Sequence, residues 1–230
     1  MASIYIRSSG PSTFSDCDRE AQKLGATTPV YIIEPVPQRF KRLIDSDKIK
    51  NHTEFHLFNN YVVGTKEGET TPNLADHRPE LASLHNFSKE IFHSWSSRKG
   101  DWKFTGTKDV ERIRLDNFID RYGISTVDYL RIDGCQGNNF DVLKSLGEKI
   151  STVKAGFCKS RWFLSMYDTP KDENALAISK FLLDNGFVVE VVSDSYEIPV
   201  SFTGIKRAGR PSRGAEATIH FKRRLLGRNQ

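Results

Sequence analysis

The chain is poor in the features that organise many other proteins. Its 230 residues hold three cysteines, and none of its apolar runs approaches the roughly 18 residues needed to cross a membrane as a helix. Cys17, Cys135 and Cys158 are odd in number and lack metal-ligand spacing, which fits thiols in a reducing compartment rather than a disulfide framework. The opening Met-Ala-Ser-Ile-Tyr-Ile-Arg has no apolar core of a secretory signal, so a cytoplasmic location is expected. Internal repeats are missing, and so is a glycine-rich phosphate loop. The first turn, within Ile4-Tyr-Ile-Arg-Ser-Ser-Gly-Pro-Ser-Thr-Phe14, carries Gly10 alone, which is neither a dinucleotide fingerprint nor a Walker loop. A backbone with one glycine and three serines still admits a ligand without phosphate, such as a small nucleoside cofactor.

What remains is a soluble, globular composition, 37% hydrophobic and 11% aromatic, long enough for one large domain with a sizeable core. The formal charge of +5 is concentrated near the end, at Lys206, Arg207, Arg210, Arg213, Lys222, Arg223, Arg224 and Arg228. Such a cluster is either a solvated terminus or a contact for phosphates and nucleic acid.

The pattern alternates short β-type runs with helical ones. Strands are expected at Ser3–Ile6, Val30–Ile33, Phe55–Val63, Val110–Leu115, Val127–Ile132, Thr152–Phe157, Phe187–Val192 and Ala217–Phe221. Helices are expected at about Phe14–Leu24, Gln38–Ser46, Asp116–Tyr122, after Asp133 to about Leu146, and Glu173–Asn185, the last closed by Gly186. Lys66-Glu-Gly-Glu69 reads as a turn, residues 68–108 as a long irregular loop, and Ile205–Gly214 as a mobile one. This alternation implies a mainly parallel sheet covered on both faces.

In such a sheet ligands bind beyond the carboxyl ends of the strands. Two strands end in an acid: Val30-Tyr-Ile-Ile-Glu34 and Tyr129-Leu-Arg-Ile-Asp133. An acid after the second strand suits hydrogen bonds from both hydroxyls of a ribose, although position alone equally allows an exposed loop acid.

Several pieces in order resemble the FkbM-type S-adenosylmethionine-dependent methyltransferases. They are Val30-Tyr-Ile-Ile-Glu-Pro-Val-Pro-Gln-Arg-Phe40, Asn60-Tyr-Val-Val-Gly with Lys66-Glu-Gly-Glu69, Leu81-Ala-Ser-Leu84, Ile113-Arg-Leu-Asp-Asn-Phe-Ile119, and the run from Arg131 to Leu143. The resemblance spans about residues 3–224. It implies a Rossmann-like, doubly wound α/β fold: a mainly parallel seven-stranded sheet with an antiparallel last strand, in one domain over 1–230. The loop at about 68–108 would lie on the acceptor side, and 205–230 would form a basic loop and tail.

The resemblance also implies roles. Glu34 matches the acid that holds the cofactor ribose, and Asn60 a residue on the adenine side. Gly10 with Ser9 and Ser12 matches the loop around the methionine moiety. Asp133 resembles the acid beside the transferred methyl group, and Gln136-Gly137-Asn138-Asn139 the turn opening the next helix. The cofactor implied is S-adenosyl-L-methionine and the acceptor a sugar or glycan hydroxyl. Two departures stand out. Arg7, Ser8 and Ser9 occupy a loop where the family has an Asp and more glycines. Counting back from Leu143, Asp133 lies one residue before the usual acid, so either a bulge restores its role or the role is lost.

An O-methyl transfer needs a positioned hydroxyl and a base. Asp133 is the first candidate base, with His85 and His93 on the overhanging loop as catalytic candidates. Trp95 and Trp102, with Phe92 and Phe104, suit either an acceptor wall or plain packing, and Arg161-Trp162 are expected to line the same crevice from the other side. No metal-ligand cluster is evident, so no metal is assigned. Two rival readings remain. One is an RNA ribose 2′-O-methyltransferase using the basic tail, for which Arg131 is a poor substitute for a lysine beside the acid. The other is a non-catalytic binding module that keeps the fold.

Overall fold

The computed structural model describes residues 2–7, 28–45, 54–75, 82–86, 104–107, 109–133, 138–161, 169–170, 172–193, 196–198 and 216–224. In chain order the strands and helices are β1 (Ala2–Arg7), β2 (Val30–Ile33), α1 (Pro37–Ile44), β3 (Phe55–Phe58), β4 (Tyr61–Val63), β5 (Gly68–Thr70), β6 (Asn73–Ala75), β7 (Phe104–Thr107), β8 (Val110–Ile113), α2 (Leu115–Arg121), β9 (Val127–Asp133) and α3 (Asn139–Lys144). A 3-10 helix (Gly147–Thr152) follows, then β10 (Val153–Arg161), α4 (Ala175–Asp184), β11 (Phe187–Ser193), β12 (Tyr196–Ile198) and β13 (Glu216–Arg223).

The main sheet has the order β12-β11-β13-β10-β9-β1-β2-β3. Strands β3, β2, β1, β9 and β10 run parallel, while β13 is antiparallel to both its neighbours, β10 and β11. This is the expected seven-stranded plan with its antiparallel last strand, to which the short hairpin strand β12 adds an eighth at the edge. β2 is a continuous apolar run, and Ile4, Tyr5 and Ile6 of β1 are all buried, because both faces of the sheet are covered there. Ile4, Ile6, Leu130 and Ile132 pack in one cluster with Phe118 and Ile119 of α2, Val142 and Leu143 of α3, and Ile178 and Leu182 of α4. Alternate residues point the other way, where Tyr5, Val30 and Ile32 pack with Leu43 of α1. Gly186 ends α4 at φ +81°, a conformation glycine adopts without strain.

Two expectations needed correction. The single strand Phe55–Val63 is broken at Asn59-Asn60, a pair of turn-forming side chains. Beyond it β4 leaves the main sheet and pairs in parallel with β8, which β5 flanks on its other edge. The stretch taken as irregular contains regular pieces: β5, the β6–β7 pair, and a bridge between Asn73 and Ser83. The helix expected at Phe14–Leu24 and the loop Ile205–Gly214 lie outside the described residues. No helix among the described residues is long and apolar enough to cross a membrane.

Candidate active site

Strand order outward from β1 runs in opposite chain directions on its two sides, to β2 and β3 on one and to β9 and β10 on the other. That is a topological switch point, where a crevice opens at the carboxyl edge. Ile6 of β1 is level with Ile33 of β2 and with Ile132 of β9. Glu34 and Asp133, each one residue further on, therefore stand at the same height, two strand spacings or about 10 Å apart.

Glu34 is 1% exposed, which excludes the simple exposed acid. One carboxylate oxygen accepts the Val36 amide at 3.0 Å, and the other lies 3.7 Å from Arg39 Nε. The acid thus steadies the start of α1, whose own cap residue supplies no side-chain bond. Asp133 is completely buried. Its Oδ2 accepts from Arg131 at 2.9 Å, and Lys159 Nζ on β10 lies 3.6 Å from Oδ1. Arg131 in turn sits over the Phe157 ring, 4.6 Å from its centre. Strand β9 is in unbroken register with β1 from Tyr129 to Asp133, and the one register shift lies at Ala2/Ser3. No bulge therefore sits at Asp133, which ends β9 level with Arg7 of β1, and the turn that follows lies outside the described residues.

Asn60 is exposed, and its carbonyl accepts the Glu111 amide at 2.8 Å, fixing the turn into β4. His85 is half-buried, and its amide donates to Ser83 Oγ at 3.0 Å. Ser9, Gly10, Ser12 and His93 lie outside the described residues, as do Phe92, Trp95, Trp102, Trp162 and the turn Gly134–Gly137; of Phe104 and Arg161 only the backbone is described. Among the described residues no cluster of three or more His, Cys, Asp or Glu is placed to hold a metal ion.

A shallow cleft, open to solvent, lies beside Glu34. Its walls are Ile6, Ile33, Pro35 and Val36 from the strand ends, Tyr61, Val62 and Val63 from β4, and Pro72 with Ala82, Ser83 and Leu84 opposite. Asn138 closes one side, donating from Nδ2 to the Val63 carbonyl at 3.1 Å. Glu34, Asn60 and Asp133 are not themselves among these lining residues. Only Ser83 and Asn138 bring polar side chains, so the recess suits a flat, largely apolar group. Tyr61 contributes its ring, because its hydroxyl is occupied by Arg121 at 2.9 Å and Tyr122 at 3.4 Å. The bond with Tyr122 and then the Arg121 charge outweigh burial and hold the Tyr61 hydroxyl below its usual range, while burial first and the bond to Tyr61 second push Tyr122 up to about 12.

Behind the cleft, Asp141 of α3 binds Thr65 through its amide at 3.1 Å and its hydroxyl at 2.5 Å, and Arg112 of β8 at 2.7 Å. Burial alone would raise this carboxyl, but the Thr65 and Arg112 partners hold it below the usual range. A β-carbon at Gly64 would stand 2.6 Å from Asp141 Oδ2 and 2.7 Å from Arg112 Nε, so any side chain there displaces part of this pair.

Sequence reasoning missed the apolar walls, Lys159 and Glu173. The position of Lys159 opposite Asp133 follows from the parallel register Cys158↔Ile132, which residue types alone do not specify. Arg223 was counted with the basic cluster; instead its guanidinium bonds the carbonyls of Val153 at 3.1 Å, Asn185 at 2.7 Å and Ile150. Burial pulls it below its ordinary range. A family model described as the methyltransferase FkbM domain matches residues 6–189. No curated protein and no solved structure matches the chain.

Proposed function

The chain belongs to the methyltransferase FkbM domain family, and from that premise we propose an S-adenosylmethionine-dependent O-methyltransferase acting on a sugar or glycan hydroxyl. The observation that carries the proposal is the pair of buried acids, Glu34 and Asp133, level with each other on either side of β1, with an apolar cleft beside Glu34.

The cofactor reading is supported by the place of Glu34 immediately before the cleft-lining Pro35 and Val36. Glu34 has the carboxylate to accept from two ribose hydroxyls, and Pro35, Val36, Tyr61 and Leu84 offer apolar faces for adenine. Ser9, Gly10 and Ser12 are assigned to the methionine end. S-adenosylmethionine, held by Glu34 and the cleft walls, would supply an electrophilic methyl group to the acceptor oxygen and leave as the neutral thioether. The protein aligns the hydroxyl and removes its proton. Although β9 carries no bulge, Asp133 is kept as the base because it ends that strand level with Glu34, and His85 and His93 are the further catalytic candidates. The sugar or glycan acceptor rests on the family resemblance and on the aromatic residues of the 68–108 stretch.

One observation favours a second reading, an RNA ribose 2′-O-methyltransferase. The lysine that Arg131 cannot replace is supplied by Lys159 beside Asp133. An ammonium can release a proton where a guanidinium cannot, so Lys159 is the alternative base.

The catalytic assignment is tested with Asp133→Asn. Turnover should nearly vanish while affinity for S-adenosylhomocysteine stays within a few-fold. Unchanged turnover would remove Asp133 from the reaction.

A further inference from the structure

The start of α3 is capped from a distance. Its own N-cap residue, Asn138, makes no capping bond and spends its side chain on the Val63 carbonyl in the cleft wall. The cap comes instead from Glu173, just before α4, whose carboxylate accepts the Phe140 amide at 2.8 Å and also faces the amides of Asn139 and Asp141. Two more contacts join the same elements: Lys144 with Asp172 at 3.4 Å, and the Phe140 ring edge-on to Phe181 at 5.5 Å. Residues 172–181 therefore clamp the helix that begins where the turn after Asp133 ends.

We propose that Glu173 is a positioning residue, a latch that holds the leading turn of α3 and so keeps Asn138 in the cleft wall. The consequence for cofactor rests on the cleft being the cofactor site; the latch itself does not.

Among the described residues, the charged groups around Glu173 are Asp141 on α3, engaged by Arg112 and Thr65, and Asp172 on its own segment, engaged by Lys144. Burial outweighs the three amides, and the Asp141 charge adds to it, so the carboxyl is pushed up to about 7. In an opened turn it would return to the ordinary carboxylate range. The closed latch therefore binds a proton that the open one releases, and raising pH through about 7 favours opening.

Hydrogen–deuterium exchange over Asn138–Val142, corrected for the intrinsic rate, tests this together with S-adenosylhomocysteine titration from pH 6 to 8.5. In the unmodified protein, protection and affinity should both fall several-fold across pH 7. Glu173→Gln keeps an oxygen for the Phe140 amide and should abolish the step in both. Glu173→Ala should exchange faster throughout and bind several-fold more weakly; if it does not fold, the Gln variant decides. A Gln variant that retains the step, or an Ala variant unchanged in exchange, overturns the latch. An exchange step without S-adenosylhomocysteine binding at any pH supports the latch and overturns the cofactor reading.

Discussion

At the scale of single residues, the buried carboxylates do different work. Glu34 is within reach of the Val36 amide and Arg39, so its removal should register in two ways. Glu34→Ala should weaken S-adenosylhomocysteine binding by roughly 1–3 kcal/mol, read by calorimetry, and should also loosen the start of α1. An unchanged affinity would remove the ribose assignment. Glu173 makes the opposite prediction for stability. Its carboxyl is raised from an ordinary 4.5 to about 7, so the folded state holds a proton that the unfolded chain has released. The stability this contributes is complete below about pH 4.5 and is lost as pH rises through 7. The loss is at most on the order of 3 kcal/mol. Urea denaturation at pH 5 and pH 8 should show a smaller drop for Glu173→Gln than for the unmodified protein. Equal drops would mean that the Glu173 carboxyl titrates in its ordinary range.

Elements carry the next set of consequences, and they show what the residues could announce in advance. Strands β1, β2, β8 and β9 and helices α2 and α4 were legible because their apolar periods are short and cleanly bounded, with Gly186 marking an end. The break at Asn59-Asn60 was not, since Phe55–Val63 reads as one β-type run until a second sheet claims its latter half. The two acids were legible as strand ends, whereas Lys159 was not, because nothing local reports which residue of β10 lies level with Asp133. Contacts between elements also explain Gly64. Gly64→Ala would drive a methyl group into the Asp141–Arg112 pair and should cost roughly 1–3 kcal/mol of stability, measured as a lower unfolding midpoint; a neutral substitution would mean that the pair moves aside freely. Arg223 joins the start of β10, the 3-10 helix and the end of α4 through three carbonyls. Arg223→Ala should therefore lower stability by about 2–3 kcal/mol with no change in retention on RNA.

For the whole molecule, the acceptor is the point that separates the sugar proposal from the RNA one. The net charge of +5 is modest, and Arg223 is committed inside the fold, which reduces the basic surface available to phosphates. An enzyme acting on sugars should show little RNA retention, with a shallow salt dependence. An enzyme acting on RNA should lose affinity steeply as salt rises, and a steep slope would transfer the proposal to the RNA ribose. The claim beneath both is that the cleft and the two acids accept the cofactor. Titration of the folded, unmodified protein with S-adenosylmethionine in a calorimeter tests it most directly. Saturable binding of one molecule per chain is the predicted result; no heat of binding at millimolar cofactor would contradict it.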